Sequence, residues 1–181
     1  MERLETRLEG PVLVRPVIHG DHRGFFHESY RREVYAELGI PEEFVQDNHS
    51  RSGHGVLRGM HFQVGDGMAK LVRCARGAMV DVVVDLRRGS PTFLRWHGER
   101  LSEENGVALL IPEGFAHGLQ TLADDVDMLY FHSAAYAPAA EEGLHPRDPR
   151  LAIAWPLPIA ALSPRDDAHA FVGADFDGVA A

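Results

Sequence analysis

An all-β sandwich or barrel is the fold class that this sequence predicts. Three observations carry it. Short runs rich in β-branched and aromatic residues recur along the chain. Turn signals such as "GDG", "RRGSP" and "SEENG" separate them. The 18 glycines and 11 prolines are spread through the chain, so they punctuate many short segments and mark no linker. With no repeat or low-complexity block, residues 1–181 read as one domain, long enough for a sizeable core.

The elements follow in order. "PVLVRPVIHG" reads as an opening strand, and "RGFFHESY" as a second one after the "GDHRG" turn. "RREVYAELGI", residues 31–40, has helical spacing, with Val34, Leu38 and Tyr35 on one face and Gly39 as its stop. Seven strand-like runs come next: "GVLRGMHFQ", "AKLVRCARG", "AMVDVVVDLR", "TFLRWHGERL", "ALLIPEG", "AHGLQTLAD" and "VDMLYFHSAAY". In "AMVDVVVDLR" alternation turns Asp81, Val83 and Asp85 one way and Val80, Val82, Val84 and Leu86 the other. After about residue 138 prolines are frequent and the chain reads as irregular, with one short helix.

Composition narrows the function. A net charge of −9 argues against general nucleic-acid binding and against electrostatic attachment to anionic membranes. The longest apolar runs, "VALLI" and "MVDVVVD", are too short to span a bilayer. "MERLETRLEG" lacks the apolar core of a secretory signal. Cys74 is the only cysteine, so no intrachain disulfide forms, which fits a reducing cytoplasm. It reads as a small buried residue.

Within "GVLRGMHFQ", Arg58 and His61 have opposite parity, so a regular strand would point them to opposite faces. Gly59 between them marks a bulge that can bring both to one face. A cation beside a titratable base suits an anionic substrate. The competing reading leaves Arg58 in solvent and His61 as a core histidine. A mononuclear metal site in a β-barrel typically draws several His and a carboxylate from adjoining strands. No H-x-H pair occurs among the 11 histidines, so neither a metal nor a cofactor is expected. His19, His22, His27, His49, His54, His97, His132, His145 and His169 read as surface or structural.

Other segments add chemistry. "RGFFHESY" supplies Arg23 and Glu28, "FVQDNHS" supplies Gln46, Asp47 and Asn48, and "AKLVR" supplies Lys70. "IPEGFAHG" supplies His117, "DMLYFHSAAY" supplies Tyr130 and Tyr136, and "LSPRD" supplies Arg165 and Asp166. In order and spacing, "DHRGFFHESY", "FVQDNHSRSGHGVLRGMHFQ", "KLV", "VDLRRGSPTF", "IPEGFAHG" and "LSPRD" resemble the dTDP-4-dehydrorhamnose 3,5-epimerase family of nucleotide-sugar epimerases. The resemblance runs from about residue 10 to about residue 167.

The resemblance implies a cupin-type double-stranded β-helix, a jelly-roll barrel with short peripheral helices, forming a homodimer. It implies an isomerase of deoxysugar (rhamnose-type) biosynthesis that removes and returns a proton beside the ketone of a nucleotide-linked 4-keto-6-deoxyhexose, at carbons 3 and 5. By position His61 is the base, Asp166 its orienting partner, Tyr130 the acid and Lys70 the cation at the enolate oxygen. Arg23 and Arg58 meet the diphosphate. Glu28, Gln46, Asp47, Asn48 and Glu141 contact nucleotide or neighbouring segments, and His117 the sugar or phosphate. Tyr136 and Arg165 complete the binding set, with Tyr136 a competitor for the acid role. "VDLRRGSP" reads as a structural turn.

Three departures stand out. "LHPRDP" lacks the family's upstream tryptophan, Arg165 replaces a common lysine, and Leu94 stands where a glycine often follows "TF". The first two are expected near the nucleotide or sugar end of the pocket, the last in packing. Alternatives are inversion at one centre, another nucleotide carrier, a keto-sugar isomerase, a non-catalytic sugar-nucleotide-binding cupin and a metal-dependent dioxygenase.

Overall fold

The computed structural model describes residues 1–65 and 67–180. Two antiparallel sheets make the cupin-type jelly roll. The six-stranded sheet contains β1 (Glu2–Glu5), β2 (Val12–Arg15), β5 (Gln46–Ser52), β7 (Lys70–Arg76), β10 (Ala108–Ile111) and β12 (Val126–His132), in the order β1-β2-β10-β7-β12-β5. The five-stranded sheet contains β6 (Leu57–Gln63), β8 (Ala78–Asp85), β9 (Trp96–Ser102), β11 (Phe115–Thr121) and β13 (Glu141–Gly143), in the order β13-β6-β11-β8-β9. A separate hairpin pairs β3 (His19–Asp21) with β4 (Gly24–Phe26). The helices are α1 (Arg32–Glu37) and α2 (Pro164–Asp167), with a 3₁₀ turn at Pro138–Ala140.

The central strands β8, β10 and β11 are covered on both faces, which explains why they are buried along nearly their whole length. One cluster fills the space between the sheets, with Leu13, Val72, Leu109, Ile111 and Met128 on one side and Met79, Val83, Leu101, Phe115 and Leu119 on the other. Val82, Val84 and Leu86 turn outward and pack with Met60, Phe62, Leu144, Leu151 and Val172 beneath the C-terminal segment. Val12, Val14, Leu71 and Leu110 are covered by Tyr35 and Ile40 of the α1 region. The alternation expected within β8 is therefore the observed one.

The helix at 31–40 is shorter than its sequence pattern, yet it buries Tyr35 and ends at Gly39, whose φ of +84° needs a glycine. Strands β1 and β5 are not evident from patterning. β1 is charged, and "QDNHSRS" of β5 alternates between two polar sets, with Gln46, Asn48 and Ser50 half-buried and Asp47, His49 and Arg51 exposed. The predicted "GDG" turn falls partly on residue 66, outside the described residues.

"VDLRRGSPTF" folds around one carboxylate. Asp85 is fully buried at the end of β8 and accepts from the backbone N–H and Nε of Arg87 at 3.0 Å and from the Ser90 and Thr92 hydroxyls at 2.6 Å. Burial alone would raise its carboxyl; these donors outweigh burial and bring it down to about 2. In the same turn Leu94 sits at φ +61°, so a glycine is common there for backbone reasons rather than packing. Leu94 gives up that backbone freedom and gains contact with the outer cluster.

Candidate active site

Gly59 carries φ +115°, and the pairing of β6 with β11 shifts beside it. His61 faces His117, whereas Arg58 faces Leu119, so three steps on β6 match two on β11. The extra residue switches the parity of the strand, and both Arg58 and His61 reach one cavity. The close approach also demands glycine, because a Cβ at position 59 would lie 2.6 Å from the Gly118 Cα and 2.7 Å from the His117 carbonyl oxygen.

That cavity, about 490 Å³, lies between the two sheets. His61, Arg58 and His117 enter from the five-stranded sheet, and Asn48, Lys70 and Tyr130 from the six-stranded sheet. The lead-in to α2 closes one side with Ser163, Arg165 and Asp166. It is fastened by hydrogen bonds from the Leu57 N–H to the Ala161 carbonyl at 3.0 Å and from the Ala160 N–H to the Gly55 carbonyl at 2.9 Å. Ser163 caps α2 by accepting the Asp166 N–H at 3.0 Å.

These fastenings deliver Asp166, 3% exposed, to His61. The Asp166 Oδ1 lies 2.7 Å from the His61 Nε2, and the Gly59 N–H donates to Oδ2 at 3.2 Å. Burial pushes this carboxyl up, but the donors from His61, Gly59 and Ser163 hold it below its ordinary value, so it is ionised. An ionised Asp166 accepts a hydrogen bond from the Nε2–H tautomer of His61, which leaves Nδ1 as acceptor. A second pair stands beside the first. His117 Nε2 lies 2.8 Å from Oδ2 of the fully buried Asp81.

Lys70 opens β7 inside the cavity. Burial lowers its ammonium, and Glu141 and Asp81 partly offset this. Among the described residues no carboxylate comes within 4.0 Å of it. Tyr130 lies on the opposite sheet from His61, and among the described residues its hydroxyl has no hydrogen-bond partner in the protein. Tyr136, by contrast, is 51% exposed at the rim, and its hydroxyl donates to Glu141 Oε2 at 2.7 Å. Arg165 pairs with the same carboxylate at 3.0 Å, and Gln46 accepts the Tyr136 N–H at 3.1 Å.

Ten of the fourteen predicted positions line the cavity: His61, Asp166, Tyr130, Lys70, Asn48, Arg58, His117, Tyr136, Glu141 and Arg165. Gln46 stands behind the rim, where it also donates to Asn48 at 3.1 Å. Three positions are not brought to this cavity. Asp47 points outward because β5 alternates. Arg23 sits on the detached hairpin, held by Asp21 at 2.6 Å, and Glu28 pairs with Arg31 at 3.3 Å. Pro146 and Arg147 also lie elsewhere. Pro146 is buried, with its carbonyl accepting from Trp155 at 2.9 Å, and Arg147 reaches Asp167 at 3.6 Å. That departure belongs to the C-terminal wrap and not to the pocket.

Sequence reasoning missed Asp81, Gln63, Met68, Ser163 and His132. A carboxylate flanked by valines within "MVDVVVD" marks Asp81, and period two from Tyr130 marks His132. His132, read from sequence as surface or structural, is buried in the cavity wall with both ring nitrogens unpartnered. Burial first, then Lys70 and His117, push it down to about 4 from 6.5. The unfolded chain binds the extra proton more readily, so stability is complete above pH 6.5 and is lost as pH falls toward about 4. The shift corresponds to about 3 kcal/mol. The urea midpoint is expected to fall between pH 7 and pH 5, and His132→Leu to reduce that fall, with His27, His97 and His169, which burial also lowers, supplying the rest.

One further group is visible among the described residues. His61, Asp166 and His169 place their ligand atoms within 4.8 Å of one another.

Residues 5–173 match the family model described as dTDP-4-dehydrorhamnose 3,5-epimerase. The chain is 49% identical over 175 residues to the dTDP-4-dehydrorhamnose 3,5-epimerase of Pseudomonas aeruginosa, covering 95% of this chain and 97% of that protein. It is 45% identical over 161 residues to the dTDP-4-dehydrorhamnose 3-epimerase of Streptomyces niveus, covering 88% and 78%. The crystal structure of the Legionella pneumophila dTDP-6-deoxy-D-glucose-3,5-epimerase in complex with dTDP-4-keto-L-rhamnose superposes with a TM-score of 0.90 at 45% identity, over 94% of this chain and 92% of that one.

Proposed function

The chain belongs to the dTDP-4-dehydrorhamnose 3,5-epimerase family, and from that premise we propose how its residues carry the reaction. The enzyme is an isomerase of deoxysugar biosynthesis, acting beside the ketone of a dTDP-linked 4-keto-6-deoxyhexose. The observation that carries the assignment of roles is the opposition of His61 and Tyr130 on facing sheets. A sugar ring between them has one face toward a base and the other toward a hydroxyl. Inversion needs both, since a single group tends to return the proton where it came from.

His61 takes the proton on Nδ1, and the buried Asp166 carboxylate balances the imidazolium that forms. Lys70 meets the enolate oxygen with preorganised positive charge. Tyr130 delivers a proton to the opposite face. His117, fixed by Asp81, and Asn48 address the sugar or phosphate. The reaction draws on these side chains alone. The test is proton NMR of a dTDP-linked 4-keto-6-deoxyglucose incubated with the protein in deuterated water. Deuterium with inversion at carbons 3 and 5, or at one of them, supports the reading and separates double from single epimerisation. A shifted carbonyl without inversion would establish a keto-isomerase instead.

Arg58 serves the diphosphate. Its Nε donates to the Ser52 hydroxyl at 2.9 Å and one terminal nitrogen to the Arg51 carbonyl at 3.4 Å, which fixes the planar guanidinium in the cavity wall. Arg58→Ala is expected to raise KM by a factor equivalent to about 1.5–3 kcal/mol while kcat changes little. Steady-state kinetics check this; a loss confined to kcat would move Arg58 into the chemistry.

A homodimer completes the picture. Phe25 and Phe26 on the β3–β4 hairpin are 61% and 71% exposed, and Val17 and Ile18 beside them are also exposed. Such a strip favours a second copy of the chain, to which the hairpin would also carry Arg23. Light scattering is expected to give twice the chain mass, and Phe25→Ser with Phe26→Ser to give the monomer; a monomeric parent would overturn this. Residues 1–181 act as one catalytic unit in this reading, and a cytoplasmic setting fits the single cysteine.

A further inference from the structure

We propose that His61, Asp166 and His169 form a binding site for a divalent zinc ion, and that the bound ion switches the enzyme off by occupying the base. The inhibitory half rests on His61 being the base; the binding half does not.

The geometry is built by two elements. Asp166 and His169 are three residues apart, and Ala168 between them keeps right-handed helical backbone past the end of α2, so both side chains leave the same side of one turn. His61 arrives from β6 across the cavity wall. The Asp166 Oδ1 is 2.7 Å from the His61 Nε2 and 3.9 Å from the His169 Nε2. Ligand atoms on a tetrahedral zinc, each at about 2.0–2.2 Å, stand about 3.3–3.6 Å apart. These two separations bracket that distance and all three ligand atoms lie within 4.8 Å of one another, so rotation of His61 and His169 toward a common centre admits an ion.

The second observation is the state of the His169 nitrogen. Its Nε2 is buried and has no hydrogen-bond partner among the described residues. A buried donor or acceptor left unpaired is costly, and protein structures rarely keep one without a use. The ring occupies the space above Gly143 of β13, where any Cβ would run into it. The site thus has a ring held in place, a nitrogen unspent and a carboxylate within reach. Two imidazoles and one carboxylate are a donor set that zinc accepts, with the fourth position left open.

Zinc held there takes the Nε2 of His61 and the carboxylate that orients it. The proton that Nε2 carried moves to Nδ1, so the imidazole keeps no lone pair with which to accept the substrate's proton. Inhibition is reversible and is relieved by chelation.

The experiment uses the full-length protein and zinc ions alone. Calorimetry of the chelator-treated parent is expected to show one zinc per chain, and His169→Ala to weaken it at least tenfold. His169→Gln, which keeps the ring site filled by a polar group, serves as the second variant. In chelator, His169→Ala is expected to turn over like the parent, whereas its half-inhibitory zinc concentration rises at least tenfold. Equal zinc affinity in parent and variants overturns the site. Zinc that binds through His169 without slowing turnover overturns the switch. A parent without epimerase activity in chelator overturns the functional reading, and the binding isotherms still decide the site.

Discussion

His61→Ala lowers turnover by roughly 100-fold or more, with substrate binding largely retained. The expectation follows from the direct bond between the His61 Nε2 and the Asp166 Oδ1 at 2.7 Å. Removing the ring deletes the proton acceptor and strips Asp166 of its main donor, so the variant also loses stability, by about 1–3 kcal/mol for the buried carboxylate left underpaired. His61→Gln separates the two effects. Its amide can still donate to Asp166, but it cannot act as a base. Solvent deuterium exchange into the substrate is expected to vanish in both variants. Asp166→Asn keeps the imidazole and loses its charge support, so exchange and inversion both persist weakly. Full exchange in His61→Gln would show that another group removes the proton.

Tyr130→Phe gives the second large effect, and it is qualitative. The substitution keeps the ring against the inner core and removes the only donor hydrogen. His61, on the other sheet, and Asp166, in α2, are untouched. The variant is expected to exchange substrate hydrogen for deuterium at carbon 5, carbon 3 or both while forming little inverted product. Proton NMR resolves the two carbons in one incubation. If Tyr130→Phe inverts as fast as the parent, the acid lies elsewhere, and Tyr136 is the first alternative. Against Tyr136 stands its position: its proton is already committed to Glu141 at the exposed rim.

Much of this was legible from residues. Alternation in β8 correctly divided its side chains between the inner and outer clusters, because successive residues of an unbulged strand point to opposite faces. Gly59 announced the parity switch, since an interior strand glycine between two functional groups has few other uses. What remained hidden has physical causes. β5 is polar on both faces, because one face lines the cavity and the other meets solvent, so no apolar alternation exists to read. Asp47 was grouped with Gln46 and Asn48 by adjacency in sequence, whereas the strand sends it the other way. The β3–β4 hairpin is a different case. Sequence shows that Arg23 and Glu28 belong to a recognisable segment but not that the segment stands apart from the cavity of its own chain. His132 and His169 were passed over because a histidine carries no sign of its burial.

With His61 as base and Tyr130 as acid, as proposed, their placement on facing sheets turns the hydrophobic interior into a calliper. The gap across which a sugar must fit is set by side chains that never touch the reacting atoms, such as Met79 and Val83 below and Val72 and Leu109 above. Thickening or thinning that layer by a methylene leaves each functional group chemically intact and changes how far apart the two jaws stand. Under the proposed roles, such a change is expected to shift the ratio of inversion to hydrogen exchange before it abolishes exchange.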